Sequence, residues 1–172
     1  MHTSSTTPSA SERALREPAR DELVDGVLGA SRALVGVAAR SLATVAEDVT
    51  LAQYRVLVEL AARGPQRLAQ LATALCVDRS TATRMVDRLV RKRLVSRRRS
   101  HEDRRVVRVS LNADGGELVA EVSRRRREEI STIVQRIPVG HRDLVLVALR
   151  AFADAAGEVP EQDWSLGWDL AG

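Results

Sequence analysis

The chain has 172 residues, 44% hydrophobic and only 2% aromatic, which suits one domain with a core of Leu, Val, Ile and Ala. Residues 91–108 hold nine Arg or Lys against Glu102 and Asp103, a local +7 in a chain of formal net charge +4, so the basicity is concentrated in one patch suited to a polyanion such as DNA. A single cysteine, Cys76, excludes an intrachain disulfide and a four-cysteine zinc site, and without an apolar leader or an eighteen-residue apolar run the chain is expected to be cytoplasmic, with no membrane partner.

Residues 1–18 are rich in Ser, Thr and Pro and read as a flexible arm. From Asp21 to about residue 47, Val24, Val27, Leu28, Ser31, Leu34, Val35, Ala38, Leu42 and Val45 recur at steps of three and four and predict a long amphipathic helix. A second helix fits 51–63, with Leu51, Tyr54, Leu57, Val58 and Ala61 inward, and Gly64-Pro65 ends it. A third, around 67–75, carries Leu68, Leu71, Ala72 and Leu75 on one face. Cys76-Val77-Asp78 then turns into a fourth helix at 79–92, capped by Asp78, with Ala82, Met85, Val86, Leu89 and Val90 inward.

After Leu94 the period shortens to two. Val107, Val109 and Leu111 alternate with Arg108 and Ser110 as in a half-buried strand, and Leu94 to Arg99 supplies the other arm of a hairpin closed by Ser100 to Arg104. Asn112 to Gly116 breaks the strand and starts a helix at about 115–136, ended by Pro138. A last helix at about 140–156 has Leu144, Val147, Ala148, Ala151, Phe152 and Ala155 inward, and a tail over 157–172 holds both tryptophans.

Two short helices, a tight turn and a third helix with a polar outer face form a helix-turn-helix. Arg79, Ser80, Thr81, Thr83 and Arg84 fall on the first turns of the fourth helix and are candidates for reading base edges. Arginine pairs bidentately with guanine, while Ser and Thr reach bases or phosphates. Arg88 and Arg91, farther along, are phosphate candidates. Any Arg-rich solvent face has this composition, but the basic hairpin that follows is placed as a wing, and narrow minor grooves attract arginine. Arg97, Arg98 and Arg99 on its first arm are further phosphate candidates, and Arg104 lies in its tip.

The stretch LAQLATALCVDRSTATRMVDRLVRKRLVSRRRSHEDRRVVRVSLNADG resembles the winged-helix core of the MarR family of bacterial regulators, closely over about 68–116 and loosely over about 21–156. Its most specific part is Asp103-Arg104-Arg105, an alternating strand, then Asn112-Ala113-Asp114-Gly115. The resemblance implies that Asp103 orients Arg105 for the minor groove, and a carboxylate beside a guanidinium does restrict its rotamers. It also implies a mainly α fold with a small β-hairpin: a winged helix-turn-helix over about 50–112, within a domain over 19–156. Dimerisation helices would lie over about 21–47 and 115–156. A two-fold dimer would bind a pseudopalindromic operator in double-stranded DNA, its recognition helices roughly 34 Å apart. Two departures stand out: Ser100-His101 replace the Asp-Pro-like pair that usually opens the wing, and Cys76 sits where a small residue, often Gly, is common.

Many relatives bind a small aromatic or anionic effector between the dimerisation and DNA-binding parts. Tyr54 falls near that cleft and reads either as a ligand donor or as an amphipathic core residue. Cys76 reads either as a small turn residue or as a thiol whose oxidation switches binding. His2, His101 and His141 make no ligand set, so no metal or cofactor is expected. No nucleophile, base and orienter combine into a catalytic site, and an enzyme is not expected. The sequence thus favours a homodimeric transcriptional repressor released by a small effector. A thiol-responsive regulator and a non-specific architectural nucleic-acid binder are the alternatives.

Overall fold

The computed structural model describes residues 10–99 and 107–164, with side chains from Arg20 onward. Helices α1 (Ala10–Ala43), α2 (Leu51–Arg63), α3 (Leu68–Ala74), α4 (Arg79–Arg91), α5 (Ala113–Gln135) and α6 (Arg142–Ala155) enclose strands β1 (Gln66–Arg67), β2 (Val95–Arg99) and β3 (Val107–Leu111) in the chain. Two compact units are present, Met1–Val37 and Ala38–Gly172. In the first, Val24, Leu28, Leu34 and Val35 of α1 are exposed. α1 is described from Ala10 and so takes in part of the segment read as an arm, where Glu12 to Glu17 are good helix formers.

In the second unit, the helix ends follow from local chemistry. Thr50 and Gln53 cap α2 reciprocally: Gln53 N donates to Thr50 Oγ1 at 3.3 Å, and Thr50 N donates to Gln53 Oε1 at 3.1 Å. Gly64, at φ +72°, ends that helix by donating its N–H to Leu60 O. Two further ends are made without glycine. Cys76 (φ +53°) and Arg93 (φ +59°) occupy the left-handed position after α3 and α4. In each case the following N–H closes the helix, Val77 N to Ala72 O at 3.0 Å and Leu94 N to Leu89 O at 3.1 Å. The unusual cysteine of the turn therefore stands in a backbone conformation that favours glycine.

β2 and β3 pair antiparallel from Val95↔Leu111 to Arg99↔Val107, and β1 adds to the other edge of β3 through Gln66↔Val109. The order is β1-β3-β2. β1 has only two residues and thus no readable period, which is why the sequence reveals a hairpin and not a three-stranded sheet. Leu57, Leu60, Leu71, Val86, Leu89, Val95, Val109, Val119 and Val122 form the fully buried heart of the unit, where α2, α3 and α4 meet the sheet and the first half of α5. Burying each such side chain stabilises the fold by about 1.5–3 kcal/mol. α5 starts at Ala113, two residues before the sequence suggests, with Asn112 at the N-cap position, its side chain donating Nδ2–H to Arg93 O at 2.8 Å instead of capping the helix. Gly115 then passes so close to β2 that a Cβ there would lie 2.1 Å from Leu94 O.

Several side chains read as inward are not buried in the chain. Leu51 and Val90 sit at the margins of their stripes and are exposed. The correction is largest for α6, where Leu144 is 69%, Val147 66% and Phe152 54% exposed and no residue is buried. Periodicity identifies the apolar face of a helix but not the element that covers it. Beyond α6, Trp164 packs against the core, and its Nε1 donates to Val159 O at 3.0 Å.

Candidate nucleic-acid interface

α4 is amphipathic in the way a groove-reading helix requires. Ala82, Val86 and Leu89 anchor one face in the core, while Arg79, Ser80, Arg84, Arg88 and Arg91 are exposed on the other. Thr81 and Thr83 are partly exposed on its first turns. Asp78 caps the helix by accepting the Thr81 N–H at 2.8 Å, and its carboxylate also accepts the Ser80 hydroxyl at 2.6 Å and the Thr81 hydroxyl at 2.8 Å. The Ser80 hydroxyl, followed by the two Thr81 donors, holds the Asp78 carboxyl far below the usual carboxylate range, so it is ionised at neutral pH. Thr83 Oγ1 donates to Arg79 O at 2.7 Å, and Arg84 Nη2 donates to Thr81 Oγ1 at 2.9 Å.

The wing base adjoins this helix. Arg97, Arg98 and Arg99 are exposed on β2, and Arg98 is the cross-strand partner of Arg108 on β3. Arg97 is already engaged, with Nη1 2.7 Å from Asp87 Oδ1 on α4. The expected wing-tip residues Asp103, Arg104 and Arg105 lie outside the described residues. At the far end of α4, Lys92 pairs with Asp48.

Sequence reasoning treated Asp78 only as a cap and missed Asp87 as a partner of Arg97. A carboxylate followed two and three positions later by hydroxyls was the available signal for the first. Nothing local signals the second, because ten residues and a change of element separate the pair.

The alternative candidates are placed differently. Tyr54 is buried on α2, and burial pushes its hydroxyl pKa up, against Ser123 and Arg126 of α5. Tyr54 Oη, Ser123 Oγ and Arg126 Nε are all enclosed without completing a well-aligned hydrogen bond among the described residues. A separate open groove of about 320 Å³ is lined by Arg40, Ser41, Thr44, Arg125, Glu128, Glu129 and Thr132, and Tyr54 does not line it. Cys76 is exposed in the turn before α4. Among the described residues no helix is long and apolar enough to cross a membrane.

A helix-turn-helix followed by a basic antiparallel wing defines the winged-helix class. Residues 49–107 match the model of the MarR family. The crystal structure of RV1404 from Mycobacterium tuberculosis is similar at 41% identity, over 81% of this chain and 95% of that one, with a TM-score of 0.77. Among curated proteins of Bacillus subtilis (strain 168), the uncharacterised HTH-type transcriptional regulator YhbI is 35% identical over 42% of this chain and 47% of its own length. The HTH-type transcriptional repressor MdtR is 38% identical over 40% of this chain and 44% of its own length. The chain thus spans about half the length of the curated relatives it matches. It belongs to the MarR family of transcriptional regulators.

Proposed function

We propose that this protein is a homodimeric, cytoplasmic repressor that binds a pseudopalindromic operator in double-stranded DNA and leaves it when a small aromatic or anionic effector binds. One observation carries the DNA reading: the exposed Arg, Ser and Thr face of α4 lies beside a β2 strand that ends in three arginines. Bases are read from such a helix, while the flanking arginines fix its register on the phosphates. The apolar face of α6, and separately that of α1 over Val24, Leu28, Leu34 and Val35, are exposed and each offers surface to a second copy. The name of MdtR supports repression, and effector release rests on the family resemblance. Tyr54 is enclosed, so it meets a ligand only when α2 and α5 part.

Gel-shift competition on the protein's own promoter region tests this reading. Operator binding should survive excess random duplex, Arg84→Ala should weaken it by about 1–3 kcal/mol with relaxed base preference, and Arg105→Ala should weaken it similarly. Binding that does not distinguish operator from random duplex would make the protein a non-specific architectural binder. A thiol-responsive variant of the reading draws on the exposure of Cys76 beside α4. It requires that oxidant release wild-type protein from DNA but not Cys76→Ser.

A further inference from the structure

The hydroxyls on the first turns of α4 are not neutral in polarity. Ser80 Oγ lies 2.6 Å from Asp78 Oδ1, Thr81 Oγ1 lies 2.8 Å from Asp78 Oδ2, and Thr83 Oγ1 lies 2.7 Å from Arg79 O. Ionised carboxylates and carbonyls only accept, so each hydroxyl must give its single proton inward. What each oxygen has left to offer a base is a lone pair. Thr81 Oγ1 also receives a hydrogen bond from Arg84 Nη2 at 2.9 Å, which completes a chain of carboxylate, hydroxyl and guanidinium.

We infer that Asp78 is a specificity-determining positioning residue: through Thr81 it aims Arg84, and it turns the Ser80 and Thr81 hydroxyls into acceptors facing DNA. The inference rests on the DNA-reading role proposed above for α4. An acceptor-only hydroxyl complements the amino groups of cytosine N4 and adenine N6. It opposes guanine O6 and N7 and thymine O4, which accept as well. Hydrogen bonds to a carboxylate are roughly twice as strong as neutral ones, so DNA does not readily turn these hydroxyls outward. Arg84 supplies donors instead, in a geometry that Thr81 restricts and that suits guanine. The reading head therefore has mixed polarity, with acceptors at Ser80 and Thr81 and a donor fork at Arg84.

The substitution Asp78→Asn separates this role from capping. Asparagine caps as well as aspartate, so α4 keeps its start. Its Nδ2 donates where Oδ2 accepted, which releases the Thr81 proton and reverses that hydroxyl's polarity. Thr81→Val is the second variant: it removes the hydroxyl while leaving Asp78 to accept the Thr81 N–H.

The full-length wild-type chain and both variants, each checked for folding by circular dichroism, should be measured on duplexes carrying every base at each half-site position. In the wild type, one position should favour adenine or cytosine and a neighbouring position guanine. Asp78→Asn should shift the first towards guanine or thymine by about tenfold in relative affinity and weaken the second. Thr81→Val should weaken both preferences, with only the Ser80 acceptor left in place. The same base preferences in all three proteins would overturn the inference while leaving α4 a reading helix. A wild-type protein without any base preference would overturn the DNA-reading role and the inference with it.

Discussion

Arg97 Nη1 lies 2.7 Å from Asp87 Oδ1, so the first of the three β2 arginines is held by the helix beside it. The pair joins the base of the wing to α4 and keeps one positive charge partly neutralised on the proposed DNA face. Both side chains remain substantially exposed, so the pair orients more than it stabilises.

Asp87→Ala should therefore release Arg97 to a phosphate. The slope of log affinity against log salt concentration should steepen by about two units for the proposed dimer, about one for each copy of Arg97. Adding Arg97→Ala to that variant should return the slope to its wild-type value. A slope that Asp87→Ala leaves unchanged would mean that Arg97 contacts no phosphate even when released.

Gly115 lets α5 pass close against Leu94, the residue that leads into β2. Gly115→Ala would place a Cβ 2.1 Å from Leu94 O, a backbone atom held by the Asn112 N–H at 3.0 Å. Relieving that overlap requires α5 and β2 to separate, and the fold should lose about 1–3 kcal/mol in urea denaturation. Gly140→Ala is the control, since nothing lies within 4 Å of its would-be Cβ. Equal stability of the two variants would contradict the close packing.

Glu121 lies on α5 between two arginines, and Arg124 first, then Arg125, hold its carboxyl at about 2 instead of 4.5. A carboxyl depressed on folding contributes stability that is present above its unfolded value and lost as pH falls through its folded value. The acid limb of the stability profile should therefore decline between about pH 4.5 and pH 2, and Glu121→Gln should flatten that part. The group is partly exposed at the surface, so the effect should also shrink as salt is added. Chemical denaturation across this pH range at two salt concentrations measures both.

The exposed face of α6 is the direct test of the proposed dimer. Leu144→Glu with Val147→Glu changes residues that are 69% and 66% exposed in one protomer, so the fold should be retained. Burial against a second copy would be opposed by two charges, and sedimentation over a concentration series should show monomer where the wild type is dimer. Operator affinity should fall with it, because two half-sites need two reading helices. Dimers that persist in this variant would move the interface away from α6.

Much of the candidate site is local and was legible in the sequence. Asp78 as a cap, the polar face of α4 and the alternation of Val109 and Leu111 with Arg108 and Ser110 all follow from spacing within a few residues. The two-residue strand β1 and the pairing of Arg97 with Asp87 were not legible, since each depends on segments brought together from a distance. The apolar faces of α1 and α6 fall between these cases. Their residues were recognised from period, but Val24, Leu28, Leu34 and Val35 of α1 and the apolar residues of α6 face outward, while Val37 and Leu42 are buried.

By itself the sequence determined the order of the helices, where most of them stop, and the concentration of positive charge over residues 91–108. These depend on propensity, capping and periodicity, which act between near neighbours along the chain. Only the tertiary structure decided which charges are engaged across elements, and with which partners. Those depend on atoms meeting within about 3 Å, a distance that composition does not specify. The chain's basic patch became a directed surface when Asp87 engaged Arg97 across the step from α4 to β2, beside the Ser80 and Thr81 hydroxyls whose hydrogen bonds Asp78 accepts locally.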